Sequence, residues 1–171
     1  MSGLRRVRWL AALVFNCGLL FAQTPVRYVI SLASPERHLV QVRVEIPPGR
    51  DTHGLQLPVW NALYQVHDFS QYMNWIRAED GRGHALAVTV LNSSRWKISG
   101  TENGARLEYE MFSDSPDPYG AQLNSRHAFF NLAEILVYAD DGRDAPARLN
   151  SATYRQDGRL QCRCRRTTAH T

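Results

Sequence analysis

The residues best suited to chemistry or ligand binding lie in one short segment, residues 57–69, where Trp60, Tyr64 and Asp68 occur within nine positions. Aromatic faces beside a carboxylate could hold a ligand that carries an amine. A structural interpretation competes with this one. The aromatic side chains would fill a corner of the core, and Asp68 would cap the following helical turn by accepting hydrogen bonds from its free N–H groups. These residues by themselves favour the structural interpretation, and both remain open.

The motifs of common catalytic centres are absent from the sequence. It contains no His-Glu-x-x-His zinc motif, no Gly-x-Ser-x-Gly nucleophile elbow and no phosphate-binding glycine-rich loop. No two of the six histidines lie within five residues of each other, and the pair Cys162 and Cys164 has no close partner. We therefore predict no catalytic, cofactor-binding or metal-binding residue in this chain. Metal ligands that converge from distant strands remain the alternative.

The net charge of +4 is concentrated at the two ends of the 171-residue chain. Residues 1–22 carry three arginines and no acid, and residues 151–171 carry five arginines against one aspartate, which leaves −3 on residues 23–150. The part that can fold is mildly acidic and has no basic face for phosphates to follow. This distribution argues against nucleic acid as a partner, and the length fits one domain.

The N-terminus has the pattern of a secretory signal. Arg5, Arg6 and Arg8 precede an apolar run over residues 9–22, and about 20 residues would be needed to cross a bilayer as a helix. We expect residues 1–22 to be a signal peptide that sends the protein to the periplasm or outside the cell. Membrane contact is expected only through this segment, with an uncleaved anchor as the alternative.

From residue 27 onward, apolar and polar residues alternate in short runs separated by turn signals. In the clearest run, residues 105–112, Leu107 and Tyr109 face one way and two glutamates face the other. Short strands at this spacing predict an all-β fold, an antiparallel Ig-like β-sandwich over residues 23–150. One short helix is expected within residues 69–77, where apolar residues follow a three-four spacing. The other expected strands cover residues 28–32, 39–46, 85–91, 96–98, 127–130 and 135–138.

Several short pieces of sequence, in a particular order, connect the chain to a known family. They are a tyrosine-led strand, a Pro-x-x-His entry to a second strand, a Leu-Pro-x-Trp loop followed by Tyr and Asp-Phe, an Asp-Gly turn, a Trp and a His-Ala-Phe segment. Here they occupy residues 28–32, 35–38, 57–69, 78–81, 96 and 127–129. Over residues 27–149 their order resembles the N-terminal domain of the glycyl aminopeptidase family of zinc metallopeptidases. One departure is Asn61-Ala62-Leu63, which stands where that family often has Pro-Gly.

The resemblance implies a β-domain that supports, or walls the cleft of, a catalytic domain with His-Glu-x-x-His and zinc. No position here matches those zinc ligands, so we expect that the chain as it stands is not an enzyme and that zinc belongs only to the catalytic domain. The implied partner is that domain, with Trp60, Tyr64 or Asp68 as candidate contacts to it or to a ligand. The alternative function is a stand-alone periplasmic β-sandwich module that binds a peptide or a carbohydrate.

The alternation ends near Leu149, and residues 151–171 change abruptly to arginine, cysteine and threonine. Such an ending predicts either a natural disordered tail or an out-of-frame reading of the gene. In the second case we expect a protein truncated before its catalytic domain. A domain that had lost its last strand in this way would have an open sheet edge and would tend to associate.

Overall fold

The computed structural model describes residues 24–62, 65–115, 120–142 and 145–152. Within these residues the chain forms fourteen strands, one α-helical turn, α1 (Leu132–Ile135), and three short 3-10 helices. The 3-10 helices are Pro35–Arg37, Phe69–Tyr72 and Asp140–Gly142. The strands are β1 (Val26–Ser34), β2 (Leu39–Ile46), β3 (Thr52–Gln56), β4 (Val59–Ala62), β5 (Gln65–Asp68), β6 (Met73–Asp80), β7 (Ala85–Leu86), β8 (Val88–Asn92), β9 (Arg95–Ser99), β10 (Ala105–Phe112), β11 (Gln122–Leu123), β12 (Ala128–Phe129), β13 (Tyr138–Ala139) and β14 (Ala147–Ala152).

Two sheets enclose the core. The larger has the strand order β14-β1-β2-β10-β6-β7, and the smaller has the order β13-β3-β9-β8. Buried residues from both sheets form one apolar cluster, among them Val42 and Tyr109 from the larger sheet and Leu55 from the smaller one. The predicted all-β sandwich is therefore confirmed. Pairing in these two sheets is antiparallel except between β1 and β14, which run parallel.

The period-two pattern explains why the central strands form. On β2, Val40, Val42 and Val44 are buried, whereas Gln41 and Arg43 between them are exposed. Successive side chains of a strand point to opposite faces of a sheet, so this alternation places one face in the core and the other in water. β10 has the bounds that the sequence predicts and pairs with β2 along its full length.

The short helix expected within residues 69–77 forms only at the start of that range, and as a 3-10 helix. The chain makes the 3-10 helix Phe69–Tyr72 and then enters β6 at Met73. From Trp75 onward, β6 is paired with β10, on one side of the larger sheet. The hydrogen-bonded ladder with β10 therefore overrides a helical spacing of apolar residues that is only two turns long.

The prediction of a strand at residues 135–138 is wrong for the first part of that range. Ile135 closes α1, and only Tyr138–Ala139 is a strand. Asn131 starts this helical turn because its side-chain oxygen accepts a hydrogen bond from the backbone N–H of Ala133 at 3.1 Å. This cap supplies a partner for one of the free N–H groups at the start of the turn.

Beyond the expected boundary at residue 150, the chain continues as a strand. β14 pairs with β1 in a register that runs from Val26 opposite Ala147 to Ser31 opposite Ala152. β14 therefore covers one side of β1. The expected tail beyond residue 152 and the expected signal peptide lie outside the described residues, and the tendency to associate stays a prediction.

Candidate functional site

The two ends of the sandwich carry different kinds of connection. At one end, the short connections of residues 47–51 and 100–104 pass between the two sheets. They are bound to each other, since the N–H of Gly49 donates to the carbonyl of Glu102 at 3.1 Å. We call this the tight-turn end.

The opposite end, which we call the loop end, carries the long connections. Phe112 at the end of β10 lies opposite Leu39 at the start of β2, so both residues mark this end. Ala152 lies opposite Ser31 near the end of β1, so β14 also leads the chain out at the loop end. The connections that meet here are residues 35–38, 57–72, 93–94 and 113–137.

The segment that the sequence singles out forms most of one long connection. β4 and β5 pair as an antiparallel hairpin, with Trp60 on one strand and Asp68 at the end of the other. The N–H of Leu57 donates to the carbonyl of Ser94 at 3.0 Å, which ties the base of the hairpin to the turn after β8. Two of the three candidate residues thus lie on paired strands. Tyr64 and the side chain of Trp60 lie outside the described part of the structure.

Asp68 caps the 3-10 helix that follows it, as the structural interpretation predicts. Its Oδ1 accepts hydrogen bonds from the N–H of Ser70 at 3.1 Å and from the hydroxyl of Ser70 at 2.6 Å. Burial raises the pKa of the Asp68 carboxyl, but hydrogen bonds from Ser70 and Ser93 outweigh burial and hold that pKa below its ordinary value. Asp68 is therefore an ionised anchor between the hairpin and the β8–β9 turn. A role in contacting a ligand or another domain stays a prediction.

Tyr109 anchors the second long connection, and sequence reasoning identified only its inward orientation. The side chain is fully buried, and its hydroxyl donates to the carbonyl of Ile135 at 2.7 Å. The same hydroxyl accepts from the N–H of Val137 at 2.9 Å. Burial strongly raises the pKa of Tyr109, so the phenol stays protonated and able to donate. One side chain on β10 thus satisfies two backbone groups 26 and 28 residues away.

His38 connects three further elements at the loop end. Its φ of 57° is left-handed, which is uncommon for a residue with a Cβ atom. The imidazole Nδ1 lies 2.6 Å from the carbonyl of Leu123, and the ring meets Phe112 edge-on with centroids 6.2 Å apart. Nε2 lies 3.9 Å from the carboxylate of Asp114. The Pro-x-x-His piece that supported the family resemblance therefore has a structural role in joining the β1–β2 turn to the connection after β10.

The loop end also exposes large apolar side chains. Phe112, Phe129 and Leu132 expose 41%, 61% and 41% of their surface. Phe129 and Leu132 both belong to the connection that Tyr109 holds. Exposed apolar side chains grouped at one end of a domain are typical of a contact surface rather than of a reaction centre.

A different arrangement covers the outer face of the larger sheet. Arg43 on β2 and Arg77 on β6 both bind Glu108 on β10, with N···O distances of 2.8 and 2.7 Å. The guanidinium of Arg77 also lies 5.1 Å from the centre of the Trp75 ring. Charges of opposite sign therefore alternate across neighbouring strands, and these charged side chains are paired with each other within the domain.

Among the described residues, no group of three or more histidines, cysteines, aspartates and glutamates is arranged to hold a metal ion. In the same part of the chain, no helix has the length and apolar character that crossing a membrane requires.

The comparisons with known proteins agree with this fold. Residues 27–171 match the family model of the Peptidase M61 N-terminal domain. The chain belongs to this family. The resemblance to the N-terminal domain of a peptidase family is thereby confirmed, over a range that includes both long connections of the loop end.

A crystal structure is also similar to this M61 N-terminal domain. It is that of an aminopeptidase N family protein from Idiomarina loihiensis, with a TM-score of 0.70 and 24% sequence identity. The match covers 75% of this chain and 22% of that one, so the domain spans about a fifth of the other protein's length. A structural similarity at 24% sequence identity supports a shared fold. No curated protein matches the M61 N-terminal domain described here.

Proposed function

We propose that this chain is a non-catalytic domain that supports the catalytic domain of an exported zinc aminopeptidase. Membership of a peptidase N-terminal domain family carries the proposal. The sequence has no His-Glu-x-x-His motif, so a zinc-bound water would depend on ligands from the catalytic domain. The role of this chain is then to position that domain and to form part of the wall of its cleft.

The loop end is the part of this domain best suited to such a contact. β14 brings the chain to this end at Ala152. Phe112, Phe129 and Leu132 are exposed there, and a folded partner that covered them would gain hydrophobic stabilisation. The β4–β5 hairpin lies at the same end, which is the basis for proposing its candidate residues as domain contacts.

The test is to read the gene past codon 171 in all three frames and to express the longest coding region. We expect a His-Glu-x-x-His motif downstream and a product that binds zinc stoichiometrically and releases N-terminal residues from peptides. Residues 1–171 expressed alone serve as the control and should not hydrolyse these substrates. A confirmed stop codon with no zinc motif in any frame would contradict the proposal, as would zinc-dependent hydrolysis by the control.

A second candidate function is a stand-alone periplasmic module that binds a peptide or a carbohydrate. The β4–β5 hairpin favours it, because this hairpin holds Trp60 at the loop end. Ligand-dependent quenching of tryptophan fluorescence should then be lost in Trp60→Ala without a change in thermal unfolding. The matched control is Trp75→Ala on the outer face, which should retain the quenching. If peptides and oligosaccharides leave the fluorescence unchanged, this candidate is excluded.

Export is part of the main proposal and rests on the charged and apolar pattern of residues 1–22. Mass spectrometry of the protein from the periplasm and the culture medium should find a mature chain that starts at Gln23. Replacing Arg5, Arg6 and Arg8 with glutamate should hold the protein in the cytoplasm. A full-length chain that stays in the cytoplasm without any such change would contradict export.

A further inference from the structure

We propose that a buried water molecule bridges Ser113 and Glu134 in a small cavity at the loop end. Ser113 directly follows β10 and exposes 1% of its surface. Its backbone is satisfied, since its N–H donates to the carbonyl of His38 at 2.7 Å and its carbonyl accepts from the N–H of Leu123 at 2.8 Å. Its hydroxyl oxygen has no hydrogen-bond partner in the described part of the protein. Buried polar groups in folded proteins nearly always have a partner, from protein or from ordered water.

Ser113 is one of the residues that line a cavity of a size that suits water. The cavity measures about 30 Å³, and its walls include Phe69, Met111, Ser113, Glu134 and Ile135. One water molecule needs about 10–15 Å³ by the same measure, whereas small-molecule sites measure about 300–1,000 Å³. The space therefore admits one or two water molecules and excludes a peptide or a sugar.

The chemistry of the walls also favours water. A cavity lined only by apolar residues stays dry, but the residues that line this one include Ser113 and Glu134. Glu134 exposes only 4% of its surface. A water molecule can accept a hydrogen bond from the Ser113 hydroxyl while it donates one to the carboxylate of Glu134. Because Glu134 lies in α1, this bridge would join the two ends of the connection that carries Phe129 and Leu132.

The first experiment is the thermal unfolding of Ser113→Ala. If water is bound, it loses one of its partners, and the unfolding temperature should fall by about 3 °C. Thr101→Val is the matched control, because Thr101 is fully buried and its hydroxyl donates directly to the carbonyl of Arg50 at 2.6 Å. An unchanged or raised unfolding temperature for Ser113→Ala, with a fall for Thr101→Val, overturns the proposal, because removing an unpaired buried hydroxyl costs nothing.

The second experiment does not depend on the variants folding. A high-resolution crystal structure of the wild-type protein should contain a water within hydrogen-bond distance of both the Ser113 hydroxyl and a Glu134 carboxylate oxygen. Cross-relaxation between water and the amide of Ser113 in solution should report the same long-lived molecule. A cavity without density, together with no cross-relaxation at Ser113, overturns the proposal whatever the stability data show.

Discussion

The outer face of the larger sheet and the loop end both pair their polar groups, but with different kinds of partner. On the outer face, side chains of neighbouring strands bind each other, whereas at the loop end, side chains bind backbone groups of the connections. On the outer face, Glu108 is bound by Arg43 and Arg77, which lie on the strands to either side, and both arginines are exposed. At the loop end, Tyr109 and His38 each hold a backbone segment far away in sequence, from inside or near the core. The outer face thus spreads its stabilisation over many weak pairs, whereas the loop end depends on a few anchors.

The largest effect is expected for Tyr109→Phe. The carbonyl of Ile135 and the N–H of Val137 would both lose their partner in a buried environment, at a cost of about 2–4 kcal/mol in the free energy of unfolding. Urea unfolding followed by tryptophan fluorescence measures this change. Tyr72→Phe is the control, because Tyr72 is only half-buried, and it should change stability by less than about 0.5 kcal/mol. Equal effects of the two substitutions would show that the loop end does not depend on this anchor.

A smaller effect is expected for His38→Ala. The substitution removes the hydrogen bond to the Leu123 carbonyl and leaves a residue with a Cβ atom at φ 57°, so stability should fall by about 1–2 kcal/mol. Hydrogen exchange at the amides of Ser113 and Leu123 should accelerate with it. His38→Asn is the control, because asparagine tolerates the left-handed conformation, and it should lose less. If exchange stays unchanged in His38→Ala, the imidazole does not join these elements.

Asp68→Ala should lower the free energy of unfolding by about 1 kcal/mol, which is the usual contribution of a capping residue. The pKa of Asp68 lies below its ordinary value, so its contribution is complete above the unfolded-state pKa and is lost as the pH falls through the folded-state pKa. The wild-type and variant unfolding curves should therefore converge in acid and separate toward neutral pH. Asp68→Asn keeps an acceptor for Ser70 and should retain most of the stability. A difference in stability between wild type and Asp68→Ala that persists at the most acidic pH would contradict this account.

The smallest effect is expected on the outer face, for Glu108→Gln, at about 0.5 kcal/mol because the two arginines are exposed. A hydrogen bond from Arg77 lowers the pKa of Glu108, with burial opposing and Arg43 adding to it. Its contribution is therefore present near neutral pH and is lost as the pH falls. The difference in unfolding temperature between wild type and Glu108→Gln should be smaller in high salt than in low salt, since salt screens exposed charges. An effect as large as that of Tyr109→Phe would remove the contrast between the two regions.

Local patterns were predictable because they repeat within a few residues. β10 and β2 have the bounds that the alternation indicates, and Asp68 caps the turn that begins at the next residue. The helix expected within residues 69–77 ends at Tyr72, because pairing with β10 makes the residues that follow part of β6. The roles of Tyr109 and His38 could not be read from spacing, since their partners lie on segments with no regular pattern of their own.

The sequence by itself determined the alternation that makes short strands, the all-β class and the family order of short motifs, because each depends on neighbours within one strand or turn. Tertiary structure decided which connections meet at the loop end and which side chains hold them. The hydrogen bonds that do this span 26 residues from Tyr109 and 85 residues from His38. Contacts over such separations form only when the core has brought the strands together, so no local pattern encodes them.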